Sequence, residues 1–203
     1  MQNKRMENSI RSLVNLYTVV IGAALSLAVA GAIDINKGLA SLSAVSILLF
    51  IAFLATLFPF FHGALRHLDD TFLENPNPNL KTGALMIDFA LLFLHALAFL
   101  VLSQLLKKPA DFAWFLIAVL TIDVVWGVFT LFGSTATGKF SPESRWTIIN
   151  FLFIAATSFY LIDQEIYLGA PAAPDKLAWL VAIGCVVRST LDYLWCRDLY
   201  FPN

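Results

Sequence analysis

The sequence predicts an all-α polytopic membrane protein: a bundle of six transmembrane helices joined by short loops. Three observations predict it. Of 203 residues, 59% are hydrophobic and only 13% are charged, about half the charged share of an ordinary soluble domain. Mean hydropathy is +0.78. The apolar residues gather in six continuous blocks, at 13–33, 42–61, 84–106, 112–132, 146–162 and 177–195. One domain of this size could bury a core, but too little polar sequence is left to coat it. The apolar excess must face lipid.

A helix needs about 20 apolar residues to cross a hydrocarbon core of about 30 Å. The blocks meet that length or approach it; the fifth is the shortest and draws on its polar flanks. Lipid offers no hydrogen-bond partners, so a span must be a helix or part of a closed barrel. A barrel would show ten-residue alternating segments, and these blocks are continuous. The whole chain reads as a single transmembrane domain.

The first block exceeds the 7–15-residue apolar stretch of a signal peptide and five more follow it, so it reads as a retained helix. Gly22, Ser26 and Ala30 recur every four residues along it, a small-residue face suited to close helix packing within or between subunits. The second block contains Pro59, which should kink it. Phe58, Phe60 and Phe61 around it suit either a constriction or, more commonly, a lipid-facing site. Helical spacing continues through 62–74, a cytoplasmic extension ended by the NPNPN stretch at 75–79, where each proline removes a donor and restrains its predecessor.

The third block carries Asp88 and His95, seven residues apart on one face. The fourth carries Asp123, Gly127 and Thr130, with Trp126 beside them. Residues 133–139 read GSTATGK, but Phe140 stands where a phosphate loop needs Ser or Thr, and the run follows a transmembrane helix rather than a strand. It reads as a turn. Thr147, Asn150 and Thr157 recur on the fifth block, and Arg188 and Asp192 form an i,i+4 pair on the sixth. Cys185 and Cys196 lie about 16 Å apart along one helix, too far for a mutual disulfide.

Ionisable groups inside spans are costly, so these positions carry the functional reading. Asp88, His95, Asp123, Asn150, Arg188 and Asp192 would line a polar cavity open to the cytoplasm. The alternative is structural: one ion pair, Arg188 with Asp192 or Asp123, locking helices together. Three aspartates and one arginine exceed what one lock requires, and surplus carboxylates suit proton or cation handling. Counting about twelve residues inward puts Asp123 near mid-membrane. A second cluster, His62, Arg66, Asp69 and Asp70, shares one face of the 62–74 extension and could form a cytoplasmic lip. Its leading reading is a solvated face. His62 and His67 are five apart, unlike the i,i+4 pair of helical zinc sites, and Arg66 would repel a metal.

Thirteen basic residues against fourteen acidic ones exclude a nucleic-acid binder working through a basic face. No serine elbow or HExxH motif occurs, so no catalytic residue is assigned, and no cofactor or metal is expected. The expected partners are the lipid bilayer and further copies of the chain, as a homo-oligomer. With the N-terminus inside, inner segments hold eight basic residues and outer ones four, which favours both termini in the cytoplasm. Tyr17, Trp146, Trp195 and Tyr200 would then mark the inner interface, and Trp114, Tyr160, Tyr167 and Trp179 the outer. The leading function is a channel or secondary transporter subunit for a small ion or solute. The alternatives are a membrane effector or partner subunit answering a cytosolic signal, and a membrane-embedded enzyme acting on a lipid-like substrate.

Overall fold

The computed structural model describes residues 2–33, 43–74, 82–133, 142–164 and 173–201. The NPNPN stretch and the GSTATGK turn beyond Gly133 lie outside them. Six long helices run in order: α1 Gln2–Ala32, α2 Ala44–Asp69, α3 Thr82–Gln104, α4 Pro109–Gly133, α5 Pro142–Ile162 and α6 Pro174–Trp195; a short α7, Arg197–Tyr200, follows. All six long helices are apolar and long enough to cross a membrane. A π-helical turn, Asp70–Glu74, continues α2, so the combined rod spans about 46 Å at 1.5 Å per residue. That is longer than a hydrocarbon core.

Cross-contacts give the directions. Tyr17 at the middle of α1 stacks on Phe61 late in α2, Phe53 early in α2 meets Phe99 late in α3 edge-on, and Trp126 late in α4 meets Trp146 early in α5 edge-on. Neighbours in sequence are therefore antiparallel. The start of α1 and the end of α6 lie at the same end of the bundle, called here the terminal end. The main seams are α2 on α6, α1 on α3 and α4 on α5. Between helices in lipid, close packing and hydrogen bonds replace the hydrophobic effect as the driving force, and the seams show both. Ala24 and Ala28 on α1, Ala52 on α2, Ala96 on α3 and Ala178 on α6 are fully buried. The Ser189 hydroxyl crosses from α6 to donate to the Ala55 carbonyl on α2.

The small-residue face of α1 is not the one used inside the chain. Ala24, Ala28 and Ala32 point inward, whereas Gly22, Ser26 and Ala30 are exposed, and a Cβ added at Gly22 would meet nothing within 4 Å. At the α4–α5 seam the opposite holds: a Cβ at Gly127 would run into the Thr147 side chain. These helices cross so closely that only glycine fits. Other hydroxyls within spans turn back onto their own helices, as at Thr56 to Ala52 (2.9 Å) and Thr121 to Ile117 (2.7 Å), which satisfies them without water.

The bundle is chemically divided. Its distal half is filled by Leu49, Phe53, Phe99, Leu102, Phe112, Leu116, Leu120 and Val181, all essentially inaccessible. Among the described residues, the buried ionisable ones, His95, Asp123, Arg188 and Asp192, collect in the half nearer the terminal end.

Candidate functional site

Asn150 lies at the centre. The α4–α5 crossing at Gly127 and Thr147 brings it against Asp123, and α6 brings Arg188 to its other side. Asn150 Nδ2 donates to Asp123 Oδ2 at 2.5 Å, and Arg188 Nη1 donates to Asn150 Oδ1 at 2.7 Å. The amide thus joins a cation to an anion through its two unlike ends. All three side chains are at most 3% exposed. The direct ion pair expected for Arg188 does not form: one helical turn along α6, Asp192 takes a different partner, the Tyr200 hydroxyl of α7, at 2.9 Å. The guanidinium lies over the Phe60 ring, 5.6 Å from its centroid, where the quadrupole offsets part of its desolvation.

Several buried polar atoms keep unused capacity. Asp123 Oδ1, Asp192 Oδ1, His95 Nε2 and two Arg188 nitrogens, Nε and Nη2, have no hydrogen-bond partner. The Trp146 indole faces the Asp123 carboxylate without completing a bond to Oδ1. His95 Nδ1 lies 2.8 Å from the Leu91 carbonyl. A carbonyl only accepts, so Nδ1 carries the proton, and a second backbone carbonyl, that of Val119 on α4, also faces the ring.

Two small crevices meet here. The inner one is lined by Phe60, His67, His95, Asp123, Trp126 and Trp146, among others. The outer one reaches Asp192, Cys196, Leu199 and Tyr200 beneath α7. Gly63, His67 and Trp146 line both. Each has room for about one water molecule, not for a lipid or a sugar.

The other predicted residues divide. Asp88 does not enter the inner crevice; it meets His67 across the α2–α3 seam at 3.3 Å. Asp123 lies near the middle of α4, fourteen residues from Pro109 and ten from Gly133. The expected lip is no solvated face. His62 packs among Tyr193, Tyr200 and Phe201, with centroids 4.9–5.9 Å away. Arg66 Nε donates to the Leu199 carbonyl at 3.0 Å and approaches Asp69 only at 4.0 Å. Asp70 begins the π-helical turn and is half-buried. The α7 segment covers this face of α2, which leaves mainly Asp69 toward solvent. Burial and the neighbouring Asp192 push the Tyr200 hydroxyl far above the ordinary tyrosine range.

His67, Phe60, Trp126, Trp146 and Tyr200 line the site without having been assigned to it from sequence. A signal existed for two of them. Trp126 follows Asp123 by three residues and Trp146 precedes Asn150 by four, so each shares a face with a polar group. Trp146, Tyr17 and Tyr200 are not an interfacial belt: Tyr17 and Tyr200 are buried and Trp146 is half-buried in the crevice. Of those four aromatics, Trp195 is the exposed one. Phe60 likewise points into the site, while Phe58 faces outward.

Among the described residues no group of three or more His, Cys, Asp or Glu side chains could hold a metal ion. Cys185 and Cys196 are both buried and not disulfide-bonded. The chain is a multi-pass integral membrane protein of the all-α bundle class. Comparison with protein-family models, with curated proteins and with solved structures gives no match.

Proposed function

We propose that the protein is a secondary transporter subunit that carries a small monovalent cation, using the Asp123–Asn150–Arg188–Asp192 network as its intramembrane site. One observation carries this reading. Two buried carboxylates share a single guanidinium, and neither is ion-paired with it directly. With all three ionised, one negative charge is left over where an unpaired charge costs several kcal/mol. A bound monovalent cation, or a proton, removes that cost. Midway ionisable clusters of this kind mark coupling-ion sites.

The apolar distal half supports a gated carrier over a standing pore, since ions reach the far side only if helices repack. The network is complete within one chain, so a homo-oligomer would multiply the site and not build it. The basic residues favour a terminal end in the cytoplasm. A crevice of water size argues against a lipid-modifying enzyme. One observation favours a signal-receiving role as a second reading: α7 touches the network through Tyr200 and α2 through Leu199, so a partner drawing α7 away would expose it.

The test is flux in proteoliposomes under imposed proton, ammonium or potassium gradients. Wild type should carry a cation, and Asp123→Asn, which keeps shape and removes charge, should reduce the rate at least tenfold while the protein stays folded. No wild-type flux under any of these gradients ends the transport reading.

A further inference from the structure

The end of α6 is built as a joint. The helix stops at Trp195, and Cys196 adopts φ −100° and ψ 22°, outside the helical well and close to the sparsely populated bridge region. The four residues of α7 follow at once, too few to form a helix that is stable by itself. An arginine stands on either side of the joint. Arg145 of α5 donates to the Trp195 carbonyl at 2.7 Å and fixes the α6 side. Arg66 of α2 donates to the Leu199 carbonyl at 3.0 Å and holds the α7 side. Tyr200 is the buried residue of α7. Its ring lies 4.9 Å from His62 and 4.5 Å from Tyr193, and its hydroxyl closes on Asp192 at 2.9 Å. Gly63 leaves it the room: a Cβ there would stand 3.4 Å from the hydroxyl oxygen.

We infer that α7 is a strap hinged at Cys196, and that Tyr200 is the gate it carries over the terminal-end mouth of the polar network. Closed, Tyr200 and Leu199 cover the outer crevice and Asp192 beneath them, which is 2% exposed. Swung out about Cys196, the strap opens that crevice to water as far as Gly63, His67 and Trp146, the wall shared with the inner crevice and Asp123. The Tyr200 hydroxyl and the Leu199 carbonyl each bring one hydrogen bond, and the rings pack at the end of the bundle, so release leaves the apolar distal half intact. Local opening of this kind needs less free energy than unfolding, and a hinge needs only a few residues that change φ and ψ. The gating role rests on the cation-carrier reading; the strap rests on the contacts of α7 alone.

The experiment is thiol labelling of the full chain in lipid nanodiscs with a small water-soluble methanethiosulfonate, the modified cysteine being identified by mass. Cys185 and Cys196 are 0% and 1% exposed, so a rigid bundle labels both equally slowly. A strap labels Cys196 at least about tenfold faster, because Cys185 waits for global unfolding. Tyr200→Phe and, independently, Arg66→Gln should each speed Cys196 by about tenfold more and leave Cys185 at its wild-type rate. Equal rates in wild type overturn the strap, as do variants that speed both cysteines together or neither. If neither variant folds, the wild-type comparison decides. In proteoliposomes, cation flux should rise at least about twofold in Tyr200→Phe, since opening limits many gated cycles; faster labelling at unchanged flux overturns the gate. Fast Cys196 labelling without wild-type flux of any cation ends the carrier and keeps the strap, and wild-type flux with equal thiol rates does the reverse.

Discussion

Asn150 shows what one uncharged side chain does for two buried charges. Its amide offers a donor to Asp123 and an acceptor to Arg188, which neither Asp nor Leu could do together. Hydrogen bonds to charged groups contribute about 1.5–3 kcal/mol each. Asn150→Leu should therefore cost about 3 kcal/mol or more, read as a lower melting temperature in detergent; a wild-type melt would mean the bridge contributes nothing. Tyr200 makes a pH-dependent contribution. Its folded-state pKa is raised above the ordinary tyrosine value of about 10, so its stabilisation is complete below about pH 10 and is lost as pH rises beyond. Cys196, 1% exposed beneath it, reports the opening. In a Cys185→Ser background, thiol labelling of Cys196, normalised to a free thiol, should accelerate above about pH 10. Tyr200→Phe removes the ionising group and should flatten that profile; an unchanged alkaline rise would disconnect Tyr200 from it.

At the scale of helices, the two glycine positions on α1 and α4 make opposite predictions. Gly127 lies where α4 meets Thr147 of α5, and a methyl group there must push the helices apart. Overpacking of this kind costs about 1–3 kcal/mol, and because Asp123 and Asn150 straddle the same crossing, Gly127→Ala should also disturb the network. Gly22 has open space, and Gly22→Ala should melt within about 0.5 kcal/mol of wild type. Equal loss for both variants would mean that the exposed face of α1 is covered by another molecule. Of the two packings expected for the small-residue face, the one within the chain falls instead to Ala24, Ala28 and Ala32. Both stripes have the same four-residue period, so spacing alone could not choose between them.

For the whole molecule, an even number of antiparallel spans puts both chain ends on one side, and the eight-to-four distribution of basic residues favours the cytoplasm for that side. Reporter fusions after Lys37, Lys108 and Pro174 should read outside, and those after Asn79, Lys139 and Asn203 inside. An outside signal at Asn203 would invert the molecule and turn the crevice away from the cytoplasm.

Composition and block length alone determined that this chain spans a membrane as six helices. Those properties are additive along the sequence: each block must satisfy its own backbone hydrogen bonds and match the thickness of hydrocarbon wherever its neighbours lie. The cost of burying charge likewise marked Asp123, Asn150, Arg188 and Asp192 before any contact was known. Which of them meet is not additive. That Asn150 separates Arg188 from Asp123, that Asp192 turns to Tyr200, and that His67 takes Asp88 all depend on helix rotations set by packing at Gly127, Ala52 and Ala178. The belt aromatics were misread for the same reason. Trp and Tyr are amphipathic enough for an interface or for a polar crevice, and only the facing helix decides which of the two surrounds Trp146 and Tyr200.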